Sequence, residues 1–271
     1  MMKIKDIKDK VLNINDSILQ KYIIKEVLQK EFFFDDENVE KQEYKLFKKI
    51  NKGLKKGKTI DYIIGKRFFF KNYFYVNKNT LVPRKETELI VEEVLKLNLL
   101  NKNVVDVCCG SGCIGISIKK EYKDCNLYLS DISKKALKVA NKNLCYLNVD
   151  AKVFNSNYLK FIYKNNIKPD IITINPPYIG KKDILLDKKV HKNEPKKALF
   201  AKENGLYFYK KLLENLDGLF KINKNLIIYV EFGYNQKKKL EEIFCLNGVK
   251  YIIEFKKDYS NIWRYFILKK V

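Results

Sequence analysis

The chain has 271 residues, 46% of them hydrophobic and 32% charged, with a formal net charge of +23. That length suits one large domain with a smaller companion. No apolar run approaches the roughly 18–20 residues of a membrane span, and the opening MMKIKDIKDK lacks the apolar centre of a secretory leader, so a soluble protein of the cytoplasm, or of an organelle matrix, is expected.

In chain order, residues 1–64 read as a small helical domain. Asp16 caps a helix whose stripe is Leu19, Ile23 and Val27, with Ile24 and Leu28 on the adjacent row. A second helix is predicted from about 36 to 50, with Gly53 as its stop. Thr59 caps a short turn ending at Gly65. Aromatic runs on both sides of Lys71-Asn72, in FFFKNYFYV, predict a β-hairpin that serves as a linker over residues 65–82.

Residues 83–271 form the third region. A helical pattern resumes in KETELIVEEVLKL, and from about residue 103 the rhythm is strand, glycine turn, helix. NVVDV, NLYLSD, DAKVF, DIITI, NLIIYVEF, KYIIEF and WRYFIL supply strands, with helices notably over 206–220 and 236–244. The expected fold class is α/β, a mostly parallel sheet closed by an antiparallel pair from the last two strands.

VVDVCCGSGCIG, residues 104–115, is an apolar strand, a glycine-rich turn and a helix start. Gly110 and Gly112 lack Cβ atoms, so a ligand can approach the backbone there. Asp131 ends the next strand, where a carboxylate can accept both hydroxyls of a ribose. Together these point to a nucleoside-containing cofactor, although Asp131 also suits a cap for the helix ISKKALKVA. Gly115 completes a G-x-G-x-x-G spacing, so phosphate binding stays open from the loop alone. The six cysteines (Cys108, Cys109, Cys113, Cys125, Cys145 and Cys245) with the lone His191 supply a zinc site poorly. They read as buried reduced thiols, and no metal is expected.

Residues 172–179 read ITINPPYI. Prolines cannot donate to a sheet ladder, so the strand stops near Asn175, at the end where open α/β sheets bind ligands. The Asn175 side-chain carbonyl and the Pro176 backbone carbonyl are two acceptors on a stiff turn. They suit both hydrogens of a planar –NH2 group, with Tyr178 stacking beside it. Such a grip turns a poorly nucleophilic nitrogen toward an electrophile by positioning and electrostatics. Attack on a sulfonium methyl needs only that alignment.

DVCCGSG, then Asp131, then NPPY, resembles the class I S-adenosylmethionine-dependent methyltransferases that act on planar nitrogens, with a Rossmann-like seven-stranded sheet. Further stretches are similar to the glutamine-N5 methyltransferases of peptide chain release factors, the PrmC or HemK family. These are DYIIG (61–65), FYV (74–76), LVPRKETE (81–88), NEPKKALF (193–200), NGLYFY (204–209), EFGYNQ (231–236) and DYSNIWR (258–264). The resemblance implies methyl transfer to the glutamine of a release factor's GGQ loop, by a monomer with no membrane contact. It implies Asn175, Pro176, Pro177 and Tyr178 as catalytic and substrate-holding residues, with Arg84 and Glu194 beside the substrate. Asp106, Gly110, Gly112, Asp131, Ser156, Asn157 and Asn175 would hold the cofactor. Pro83, Arg84 and Glu86–Glu88 would lie near the channel, and Glu194 with Pro195 would form part of the wall over the active site. Cys108 departs from the family's usual glycine, and NSNY leaves the adenine contact open. Arg84 also suits a surface pair with Glu86 or Glu88. The alternatives are an adenine-N6 methyltransferase on RNA or DNA, which NPPY and the basic charge would serve, and a glutamine methyltransferase of a ribosomal protein. The charge favours polyanions, yet the lysines are spread along the chain, as a composition-wide bias would leave them.

Overall fold

The computed structural model describes residues 2–12, 14, 16–30, 32–180, 193–245 and 251–271. They divide into two compact units, with the chain passing from the first to the second between Gly65 and Lys66.

The first unit opens with Ile4–Asp6, continued over Ile7–Leu12 with wider, π-type bonding. Helix α1 (Ser17–Leu28) starts as predicted, the Asp16 carboxylate accepting from the Leu19 N–H at 2.9 Å. Helix α2 (Lys41–Lys55) starts later than the sequence pattern predicts. The reason is that the carbonyls of Asp35 and Glu37 accept from Lys5 and Ile4, at 2.9 and 3.0 Å. Gly53 lies inside α2 and is not its stop. A Cβ there would sit 2.4 Å from Ile63 Cδ1, so glycine lets α3 (Ile60–Ile64) pack close. Gly65 then ends α3 at φ 86, a conformation glycine adopts without steric cost.

The second unit begins with the hairpin β1 (Lys66–Phe69) and β2 (Asn72–Tyr75). Its turn falls on Phe70 and Lys71, one residue before the predicted place, and both have positive φ. A two-residue hairpin loop needs that backbone to match the strand twist.

A seven-stranded sheet follows: β3 (Asn103–Val107), β4 (Asn126–Asp131), β5 (Lys152–Asn155), β6 (Ile171–Ile174), β7 (Ile227–Glu231), β8 (Tyr251–Lys257) and β9 (Trp263–Lys270). The spatial order is β5-β4-β3-β6-β7-β9-β8, and β9 runs antiparallel to both neighbours. Successive residues of a strand face opposite sides. Val104 and Ile171 therefore meet one apolar layer, from α4 (Glu88–Leu95), α5 (Cys113–Glu121) and α6 (Lys134–Leu147). Val105, Val107, Ile172 and Ile174 meet the other, from α7 (Lys160–Lys164), α9 (Tyr207–Ile222) and α10 (Lys237–Cys245), α9 being preceded by the short α8 (Lys196–Leu199). Each fully buried aliphatic side chain contributes about 1.5–3 kcal/mol. Strand order reverses between β3 and β6, which opens a crevice at their carboxyl ends.

Candidate active site

A cavity of about 270 Å³ lies in the second unit, just below the usual size range for small-molecule sites. Its walls come from the segments that leave β3, β4, β5 and β6, with further wall from Arg84, Thr87 and Pro195. The sheet topology thus gathers residues far apart in sequence at one end of the strands.

The glycine loop divides its labour. Gly110 has φ 56 and lines the cavity, and a Cβ added there would meet nothing within 4 Å. Gly112 does not line it; its Cβ would meet Ile116 Cδ1 at 2.8 Å. At Gly115 a Cβ would meet Leu129 at 2.7 Å and Leu127 at 2.8 Å. The first glycine leaves room for a ligand, while the other two let helix and sheet close up. Cys108 adopts φ 59 on the cavity wall. Cys109 and Cys113 line the cavity as well, and burial pushes the Cys113 thiol up to about 12. Cys145 is exposed, unlike the buried thiol expected.

Asp131 lines the cavity and accepts from the Gly110 N–H at 2.9 Å and the Ser133 N–H at 2.8 Å. Ser133, not Asp131, caps α6, its hydroxyl accepting from the Ala136 N–H at 3.2 Å. Asp106 is fully buried and is not on the wall. Its carboxylate accepts from the Gly115 N–H and the Thr173 hydroxyl, both at 3.0 Å, and ties α5 to β6. Burial pushes its carboxyl up to about 7, and burial raises that of Asp131 too. Ser156 and Asn157 line the cavity where β5 ends beside Asp131, with Tyr158 and Phe208 next to them on the wall.

Of the NPPY turn, Asn175 and Pro177 line the cavity; Pro176 and Tyr178 do not. The Tyr178 hydroxyl donates to Glu231 Oε1 at 3.1 Å, so its polar end is held by the protein. Asn175 Nδ2 donates to the Thr87 hydroxyl at 3.3 Å, and Thr87 donates to Glu231 Oε2 at 2.6 Å. Glu231 is 1% exposed, and burial raises its carboxyl. The Tyr178 carbonyl accepts from Gln236 Nε2 at 2.8 Å.

Arg84 and Pro83 line the cavity; the Arg84 guanidinium pairs with Glu194 at 2.6 Å, not with Glu86 or Glu88. Glu194 is buried and off the wall, and its other oxygen accepts from the Val82 N–H at 3.4 Å. Glu88 accepts from the Phe70 N–H at 3.1 Å, in the hairpin turn. His191, read as a plain loop residue, falls outside the described residues. Sequence reasoning gave no role to Thr87, Glu231 or Gln236, although ETE and EFGYNQ carry them; the Thr87–Glu231 and Gln236–Tyr178 pairs are remote in sequence.

The methyltransferase small domain family model matches residues 84–193. The release factor glutamine methyltransferase of Mycoplasma mycoides is 39% identical over 272 residues, covering 96% of each chain. The protein of the same name from Borreliella burgdorferi is 38% identical, covering 78% of this chain and 73% of that one. Among solved structures, the hMettl16 catalytic domain in complex with an RNA hairpin superposes with a TM-score of 0.56 at 15% identity, covering 72% of this chain and 74% of that chain. A methyltransferase from Pyrococcus furiosus gives 0.50 at 17%, covering 72% and 86%. At such identity the structural likeness speaks for the fold, the class I methyltransferase sheet. The near-complete alignment at 39% decides the family: the chain belongs to the release factor glutamine methyltransferases.

Proposed function

We propose that the chain transfers the methyl group of S-adenosylmethionine to the side-chain amide nitrogen of the glutamine in the GGQ motif of peptide chain release factors. The observation that carries this reading is that Asn175, Gly110 and Asp131 line one cavity, in a chain aligned over 96% of its length with a protein named release factor glutamine methyltransferase. The adenine-N6 alternative is not favoured by those relatives.

The residues present fit the cofactor. Gly110 leaves its backbone open to the cavity. Asp131, fixed by two N–H donors, keeps lone pairs for ribose hydroxyls. Tyr158 and Phe208 offer aromatic surface beside Ser156 and Asn157, on the side suited to a nucleobase. When bound, S-adenosylmethionine supplies a methyl on a sulfonium sulfur, which keeps the bonding pair as the methyl passes to nitrogen.

Asn175 is assigned the grip on the substrate: its Oδ1 accepts a hydrogen of the glutamine –NH2 and turns the nitrogen lone pair toward the methyl. Pro177 bounds the space beside it. Asn175 lines the cavity, and the Pro176 backbone carbonyl is assigned the second hydrogen of the same –NH2 group. The nitrogen releases one proton to water after transfer, so alignment is the protein's main contribution. Arg84, braced by Glu194, is assigned to the substrate loop at the wall. The helical unit over residues 1–64 is proposed to hold another part of the same partner, with the enzyme acting as a monomer.

The test offers labelled cofactor to release factor, ribosomal protein, tRNA and DNA side by side. Label on the release factor glutamine is expected; label on nucleic acid alone overturns the reading. Asn175→Ala is expected to lower turnover by about 100-fold or more, with cofactor affinity, read by calorimetry, changed by less than about threefold.

A further inference from the structure

Two residues that the proposed chemistry does not use meet beside Asn175, one of them, Thr87, on the cavity wall. Thr87, from the segment before α4, and Glu231, the last residue of β7, are 2% and 1% exposed. We infer that Thr87, held by Glu231, fixes which edge of the Asn175 amide faces the cavity, and is a positioning residue for methyl transfer; this rests on the role proposed for Asn175.

An asparagine amide has two edges of nearly equal shape and opposite chemistry. Only its carbonyl edge can accept from a substrate –NH2; the other edge would set donor against donor. The asparagine cannot choose by shape, so something beside it must choose. Thr87 has one hydroxyl proton, committed to Glu231 Oε2 at 2.6 Å. A short bond of this kind to a carboxylate is among the stronger protein hydrogen bonds. What remains facing Asn175 is the lone pairs of the Thr87 oxygen, and these accept from Nδ2 at 3.3 Å. A reversed amide would put carbonyl against lone pair and leave a buried acceptor unmatched. Oδ1 is thereby directed away from Thr87.

Glu231 is fixed in turn. Its other oxygen accepts from the Tyr178 hydroxyl at 3.1 Å. Asn175, through Thr87, and Tyr178, directly, are therefore both suspended from one carboxylate. The two ends of the NPPY turn share an anchor, so the amide edge and the path of the turn are set together.

The test uses the full chain, with labelled cofactor and release factor. Thr87→Val keeps the side-chain shape and removes the hydroxyl. It is expected to lower kcat about 10- to 100-fold, while KM for the release factor and Kd for the cofactor stay within about threefold. Thr87→Ser, which restores the hydroxyl, is expected to recover most of that loss. A Thr87→Val enzyme with kcat within about twofold of the unaltered chain overturns the inference, as does a loss shared equally by cofactor Kd, or a serine variant as slow as the valine one. If the valine variant does not fold, Glu231→Gln is read instead. Its amide can turn either way toward Thr87, so a kcat loss of at least about threefold with cofactor Kd intact is expected, and an unchanged kcat overturns the inference. The unaltered chain and Asn175→Ala are run alongside. No transfer by the unaltered chain, or full transfer by Asn175→Ala, removes the proposed function or the Asn175 role and this inference with it. An inactive Asn175→Ala beside an active Thr87→Val removes the inference alone.

Discussion

Asp106 is a candidate ligand group whose carboxylate the protein itself already holds. It sits near the end of β3, beside the glycine turn, where a carboxylate facing a cofactor is a natural expectation. Both its oxygens accept from the protein, from Gly115 and Thr173. Burial raises its carboxyl from 3.8 to about 7. A carboxyl raised in the fold favours folding while it is protonated. Its contribution is full below about 3.8 and is lost as pH rises through about 7. Asp106→Asn removes this loss, because an amide can accept from Gly115 and donate to Thr173 without ionising. The variant is expected to gain in Tm over the unaltered chain as pH rises from about 4.5 to about 7, and the gain should level off above that. Thermal unfolding across that range checks it; a pH-independent difference would count against a raised Asp106 carboxyl.

At the scale of elements, the NPPY turn is clamped by the loop before α9 and the turn after β7. Gly205 has φ 90, and a Cβ there would lie 2.0 Å from the Tyr178 carbonyl oxygen, which is backbone. Gln236 bonds that same carbonyl and accepts from the Gly233 N–H at 3.0 Å. Gly205→Ala must displace the turn, so a loss of about 3 kcal/mol or more is expected, with turnover falling alongside. Gly57→Ala is the control: φ is 70 but nothing lies within 4 Å of the added carbon. It should cost only about 1–2 kcal/mol, the steric price of a left-handed backbone. Denaturant unfolding of the two variants makes the comparison, and equal losses would refute the clamp. These contacts also explain what the sequence could and could not reveal. The strands were legible because short apolar runs bounded by turn residues carry their own signal, and Gly110, Asp131 and Asn175 because each stands at a strand end with the right chemistry. Gly53 was misread because Ile63, the side chain that demands a glycine there, cannot be seen from the local pattern. Thr87 and Glu231 had no legible role because they are 144 positions apart, and only the sheet brings them together.

For the molecule as a whole, the net charge of +23 makes binding and catalysis separable. Binding to a polyanion needs only positive charge and counterion release, and it weakens steeply with salt. Lys78, Lys196 and Lys197 reach the cavity wall, so the charge extends to the candidate site itself. Methylating an adenine needs more: the base must leave its stack and enter the pocket. The fold alone does not separate the two chemistries. The expected outcome is that tRNA retains the chain at about 50 mM salt and releases it by about 300 mM. The RNA should stay unlabelled under both conditions, while release factor offered in the same tube takes up methyl. Filter binding reads the first property and labelled cofactor the second. Retention without label would assign the lysines to non-specific attraction. Label on the RNA would mean that the cavity admits a nucleobase, and that the edge of Asn175 faces adenine as readily as glutamine.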